Sequence, residues 1–183
     1  MADSSGTTGT SDDVRVLVRA LDQAGDVLDH LHADDLGKPS TCEDWDVSTL
    51  ADHLMATPPN FLTMMAGGQP DWDVPAPHVS HSWGPEFRVR ADDLTHRWHE
   101  HRGEAPVPIG MMIAELAIHA WDLARSIDFP VERLDPEVAE TALGFLRANL
   151  KPGMRGQAFA DEREPAADAG PYERLAAYAG RQT

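Results

Sequence analysis

Most of the sequence carries apolar residues at intervals of three and four, a spacing that places them on one face of an α-helix. The pattern begins after Asp12 and Asp13. Acidic residues are favoured in the first turn of a helix, so these two aspartates indicate where the first helix starts. In the first helix its members are Val14, Val16, Leu17, Val18, Leu21, Ala24, Val27, Leu28 and Leu31. No two segments show the alternation expected of paired strands. The sequence therefore predicts an all-α protein.

Proline and glycine divide this pattern into separate helices. The predicted helices are one from Ser11 to a break at Gly37, a second from an N-cap at Asp46 or Ser48 to about Ala66, a third over 85–101, a fourth that holds Glu115 and His119, a fifth from Asp135 to about Leu150, and a short last one from Pro171. Residues 67–80 and 151–170 are predicted to be irregular because they are rich in glycine and proline. The four main helices are expected to form a bundle, followed by additional short C-terminal helices.

The length of 183 residues fits one domain with a real core, which is predicted to span residues 11–183. Residues 1–10 are rich in serine, glycine and threonine and are predicted to be disordered. The sequence shows neither an apolar run of about 18 residues nor a secretory signal. We therefore expect a cytoplasmic protein without a membrane span, as a monomer or a homodimer.

The charge balance excludes one class of partner. Acidic residues outnumber basic ones by 31 to 15, and no cluster of lysine and arginine offsets the net charge of −16. Nucleic acid is therefore not expected as a ligand, because phosphate binding depends on a basic surface. The single cysteine, Cys42, excludes an intramolecular disulfide and a cysteine-based structural zinc site. Any metal would have to use histidine and carboxylate ligands.

Glu115 and His119 are the strongest indication of chemistry in the chain. They are four residues apart in a predicted helix, so their side chains lie on one face, where both can contact one metal ion. The surrounding residues are apolar nearly all round, which predicts a buried helix. A buried carboxylate beside a buried imidazole needs compensation, which a bound cation supplies. A private salt bridge between the two side chains is the alternative interpretation.

His53 is the best candidate for a third ligand, because it lies near the start of the second helix and shares a face with Leu50. Two helices would then meet at one metal. Asp122 follows His119 by about one turn and is a candidate for orienting a ligating ring nitrogen from behind the ligand. Holding a helix end or pairing with Arg125 remains an open alternative for Asp122.

Other residues suit structural roles better than chemical ones. His96, His99 and His101 have a spacing that also fits a metal, but the charged residues around them favour a solvated face. Cys42 is interpreted as structural because the sequence places no base beside it. Trp45 and Trp121 are expected to contribute mainly apolar burial.

Four segments, in this order, carry a resemblance to a known family: Pro39–Val47, Leu50–Leu54, Glu115–Ala124 and Arg174–Arg181. Together they resemble the DinB/YfiT-like superfamily. Within it they resemble the actinobacterial branch that includes the N-terminal domain of mycothiol-dependent maleylpyruvate isomerase. The similarity runs from about residue 11 to the C-terminus and implies a DinB-like four-helix bundle.

The resemblance implies one divalent metal, most often zinc and otherwise nickel or iron, held by His53, Glu115 and His119. Three protein ligands leave one coordination position for a substrate or water, as in catalytic zinc sites. The family's enzymes depend on a thiol, so the resemblance implies mycothiol as a partner and a small electrophile as the substrate of a transferase or isomerase.

The chain also departs from the isomerase, because residues 151–183 are too few for that enzyme's further C-terminal domain. The isomerase substrate is therefore not carried over. Two alternatives stay open. One is a hydrolase that uses the same metal to activate water, and the other is a non-enzymatic bundle that binds a small ligand or is a stress-associated protein.

Overall fold

The computed structural model describes residues 11–42, 44–72, 82–100, 105–156 and 159–183. The described parts contain six α-helices: α1 (Ser11–Asp29), α2 (Val47–Met65), α3 (Trp83–Glu100), α4 (Ile109–Ser126), α5 (Pro136–Asn149) and α6 (Pro171–Tyr178). The prediction of an all-α fold is confirmed. Residues 1–10, predicted to be disordered, and residues 73–80 of the predicted loop lie outside the described parts.

The first four helices form the bundle. α1 and α2 each pack against both α3 and α4, while α5 packs on α4 and α1, and α6 packs on α5 and α4. Large apolar side chains fill the centre, among them Phe61, Phe87, Trp98 and Trp121. No described helix is both long enough and apolar enough to cross a membrane.

Two helix starts are fixed by aspartate side chains. Asp46 is the N-cap of α2 and accepts a hydrogen bond from the backbone N–H of Thr49 at 2.8 Å, which decides between the two predicted caps. Asp135 caps α5 in the same way through the N–H of Glu137. These caps confirm two predicted helix starts, and the first of them sets the position of His53 along α2.

α1 ends at Asp29, before the predicted break at Gly37. The reason is local, because a separate 3-10 turn forms over Ala33–Asp35. The Asp35 carboxylate accepts a hydrogen bond from the backbone N–H of His32 at 3.0 Å and so begins this new turn. Apolar spacing alone does not reveal such a competing cap.

α2 continues through two adjacent prolines, Pro58 and Pro59. A proline inside a helix has no N–H, so Pro59 leaves the carbonyl of Met55 without its usual donor. Arg90 of α3 donates to this carbonyl at 3.1 Å. The guanidinium therefore stabilises α2 two residues beyond His53 and ties it to α3.

Candidate metal centre

The loop before α2 folds back on itself and lies against α4. The backbone N–H of Ser40 donates to the carbonyl of Trp45 at 3.0 Å, and the N–H of Trp45 donates to the carbonyl of Cys42 at 3.2 Å. Asp44 adopts a positive φ of 65°, a conformation that aspartate tolerates in tight turns. The Thr41 hydroxyl reaches Asp122 of α4 at 2.6 Å. The turn thereby places Cys42 and Trp45 next to the predicted ligands.

The three predicted ligands come together between α2 and α4. His53 Nε2 lies 2.7 Å from Glu115 Oε1, and His119 Nε2 lies 3.4 Å from the same oxygen. One donor atom from each of the three side chains lies within 4.8 Å of the other two. Because two imidazole nitrogens and a carboxylate oxygen converge, the group is a possible site for a divalent ion.

Glu115 and His119 shift each other's pKa, and each favours the charged form of the other. Burial alone would raise the pKa of Glu115, but the charge of His119 and the hydrogen bond from His53 outweigh it and lower the pKa to about 2. Burial would likewise lower the pKa of His119, but the Glu115 charge and hydrogen bonds to Asp122 and Cys42 raise it to about 10. The two pKa shifts have a common cause, because each group stabilises the charged form of the other.

Asp122 lies behind His119 and is fully buried. Its Oδ2 is 3.1 Å from His119 Nδ1, and the Cys42 thiol donates to the same oxygen at 3.1 Å. Arg181, from the residues after α6, donates from Nη2 to Oδ2 at 3.1 Å and from Nε to Oδ1 at 3.3 Å. Burial would raise the pKa of Asp122, but the hydrogen bond from His119 and the charge of Arg181 hold it well below its usual range.

Two indoles flank the imidazole rings. The Trp45 ring is stacked on His119, with centroids 6.0 Å apart, and lies 5.0 Å from the ring of His53. Trp72, which follows α2, lies 5.7 Å from His53 on centroids and packs edge-on against Phe61. Trp45 is therefore half-buried against the candidate ligands, in addition to the apolar role expected of it, whereas Trp121 is a core residue.

Cys42, His119 and Asp122 form a second group with metal-ligand chemistry. Here the position of a cation is already taken, because the Arg181 guanidinium contacts both carboxylate oxygens of Asp122 and approaches Cys42 Sγ at 3.9 Å. A second metal ion would have to displace this guanidinium. The group around Glu115 fits a metal better.

The sequence did not identify Cys42, Trp72 and Arg181 as neighbours of the candidate centre. No local spacing connects them to α4, and only the fold brings them there. The one signal in the sequence was chemical: an aspartate in an apolar helix requires a cation from elsewhere in the chain. Among the other candidates, His96 is mostly exposed and pairs with Glu100. His99 bonds to a carbonyl of its own helix, and His101 lies outside the described residues.

The fold and the cluster together define the protein as a helical bundle with a candidate metal centre between two of its helices. The uncharacterized protein Rv0738 of Mycobacterium tuberculosis strain ATCC 25618 / H37Rv is 30% identical over 172 residues, covering 89% of this chain and 94% of that protein. The uncharacterized protein MT0763 of strain CDC 1551 / Oshkosh matches to the same extent. The chain therefore belongs to the family of these mycobacterial proteins. No family model and no solved structure matches it.

Proposed function

We propose that the protein is a divalent-metal-dependent enzyme of the DinB-like kind, with His53, Glu115 and His119 as the ligands. The observation that carries the proposal is the convergence of three donor atoms within 4.8 Å of one another. Zinc is the metal expected first, with nickel and iron as alternatives, because all three accept imidazole nitrogen ligands. The alternative is a metal-free network in which Glu115 pairs with both His53 and His119, at 2.7 and 3.4 Å, and the metal content of the protein separates the two.

The bound metal would supply Lewis acidity, which lowers the pKa of a coordinated thiol or water. The side chains around the ligands orient them and pack against them. The Asp122 carboxylate holds the Nδ1–H of His119, so Nε2 is the nitrogen left for the metal. Trp45 packs against the rings of His53 and His119, and Trp72 packs against the ring of His53, so these indoles help to hold the two imidazoles in place.

Mycothiol is the proposed thiol, and a small electrophile is the proposed substrate of a transfer or isomerisation. This part of the proposal rests on the resemblance to the mycothiol-dependent branch, and the mycobacterial source of the two relatives is in line with it. The proposal includes the predicted cytoplasmic location. Hydrolysis by a metal-bound water is the competing reaction at the same residues.

The metal content of the protein tests the site directly. We expect about one equivalent of metal per chain by elemental mass spectrometry after purification without added metal or chelating resin. His53→Ala is expected to lose it, because three-ligand sites depend on each ligand. His96→Ala is the matched control, since its side chain is 79% exposed on α3, and it should retain the metal.

Two results would count against the proposal. A His53→Ala protein with full metal occupancy would contradict the ligand assignment, and a wild type that stays metal-free after reconstitution would favour a non-enzymatic bundle. For a protein that binds metal, assays of small electrophiles with and without mycothiol separate thiol transfer from hydrolysis. Turnover that is equally fast without the thiol would favour the hydrolase.

A further inference from the structure

We propose that Arg181 is a positioning residue of the metal centre, acting through Asp122 on His119. This inference rests on the proposed function, because it concerns how the chain prepares one of the proposed ligands. Arg181 lies 59 residues from Asp122 along the chain, and its guanidinium reaches both oxygens of that carboxylate, at 3.1 and 3.3 Å. Such a two-point contact fixes the orientation of a carboxylate better than a single contact does.

The orientation of Asp122 decides the orientation of His119. Asp122 Oδ2 lies 3.1 Å from Nδ1 of the imidazole. An acceptor at Nδ1 keeps the proton there and leaves the lone pair on Nε2, the nitrogen that faces Glu115. A rotation of the carboxylate would remove this constraint on the ring.

Arg181 also supplies a charge that His119 cannot supply when it binds a metal. A ligating imidazole is neutral. Asp122 is 0% exposed, and a buried carboxylate is stabilised by a cation in direct contact with it. Arg181, itself only 12% exposed, is that cation. Its two hydrogen bonds hold the carboxylate in the position from which Oδ2 faces Nδ1 of His119.

The backbone at the end of α6 is built to deliver this side chain. The N–H of Arg181 donates to the carbonyl of Ala176 at 2.9 Å, and the N–H of Gly180 donates to that of Ala177 at 3.0 Å. These two bonds form a Schellman motif, in which the residue after the helix takes a left-handed conformation. Gly180 has a φ of 88°, and a Cβ there would lie 2.7 Å from the Cβ of Ala160. Only glycine fits, and it turns the chain so that Arg181 points to α4.

The experiment compares metal affinity in Arg181→Met, Arg181→Lys and Arg174→Met. Lysine keeps the charge but loses the planar two-point contact. Arg174 is the matched control, because it is an arginine of α6 whose guanidinium donates to the carbonyl of Ala169. Dissociation constants for Zn²⁺ and Co²⁺ are measured by competition with a chromophoric chelator. The visible absorption of the cobalt-saturated protein reports the geometry of the ligands.

We expect Arg181→Met to weaken metal binding by about 10-fold, the lower end of the effect of losing a ligand's own partner, because Arg181 acts through Asp122, and to change the cobalt spectrum. Arg181→Lys should fall between this variant and the wild type, and Arg174→Met should match the wild type. Unfolding temperatures of the metal-free proteins are recorded alongside, because a purely structural role would lower them and leave affinity and spectrum unchanged.

A lower unfolding temperature with unchanged metal affinity and an unchanged cobalt spectrum, in either Arg181 variant, would overturn the inference. If Arg181→Met fails to fold, Arg181→Lys decides, and an unchanged dissociation constant and spectrum in that variant overturn it. The two proposals fail differently. A wild type that binds neither metal overturns both, whereas a wild type that binds metal and is matched by its Arg181 variants overturns this inference alone.

Discussion

His119 illustrates how much of a site can depend on one side chain. Its two ring nitrogens face different partners: Nε2 lies 3.4 Å from Glu115, and Nδ1 lies 3.1 Å from Asp122. The spacing of these three residues along α4 made the arrangement predictable, because residues three and four apart share a helix face. The cation that balances Asp122 was not predictable, since Arg181 is distant in the sequence.

Glu137 is a residue whose protonation should be measurable in the stability of the protein. Hydrogen bonds from Arg15 and Arg19 of α1 lower its pKa to about 2, against an ordinary value of 4.5. A folded-state pKa below the unfolded value means that the stabilisation is present above pH 4.5 and is lost as the pH falls toward 2. Because Glu137 is partly exposed, the effect should be small.

We expect the unfolding temperature of Glu137→Gln to lie below that of the wild type above pH 4.5, and the difference to shrink toward pH 2. Thermal unfolding followed by circular dichroism across this range measures it. Glu140→Gln, at an exposed position of the same helix, controls for the loss of a surface charge. A difference that stays constant with pH would contradict the prediction.

At the level of helices, the contact between α4 and α5 depends on a close approach at Gly110. A Cβ at this position would lie 2.4 Å from Cδ2 of Phe145. α4 carries Glu115 and His119, so this contact helps to fix the helix that holds two of the candidate ligands. A Cβ added at Gly144 of α5 would meet no atom within 4 Å, so this position has room for a methyl group.

The two glycines should therefore respond in opposite directions. Gly110→Ala is expected to destabilise the protein by about 1–3 kcal/mol, because the ring of Phe145 must move. Gly144→Ala is expected to stabilise it by about 0.5–1 kcal/mol, since alanine loses less entropy in a helix. Urea denaturation measures both changes. Equal effects at the two positions would show that the contact with Phe145 does not limit the packing.

For the molecule as a whole, the existence of the helices was predictable from the sequence, but some of their ends were not. The three candidate ligands were predictable as well, but the residues that surround them were not. Apolar spacing and caps such as Asp46 and Asp135 are local signals, so the helices could be placed from them. The 3-10 turn after α1 and the contact of Arg90 with the carbonyl of Met55 depend on side chains that compete or arrive from another helix. The DinB-like assignment and the thiol chemistry remain predictions.

Metal binding at the proposed centre should be visible in the stability of the whole fold. An ion that binds only the folded state stabilises it by about 2.7 kcal/mol when its free concentration is 100 times the dissociation constant. We therefore expect a chelator to lower the unfolding temperature of the wild type. His53→Ala should show no change on chelation. Calorimetry with and without the chelator tests this, and an equal shift in both proteins would place the metal elsewhere.

The contacts of Asp122 also bear on how this family can evolve. Thr41, Cys42, His119 and Arg181 reach one buried carboxylate from three separate parts of the chain. A lineage that lost Arg181 first would leave the buried Asp122 carboxylate without its guanidinium partner. One that lost Asp122 first would leave the largely buried Arg181 without its carboxylate partner. Intermediate sequences of either kind should be selected against. Relatives are therefore expected to inherit the aspartate and the arginine together, or to have replaced both.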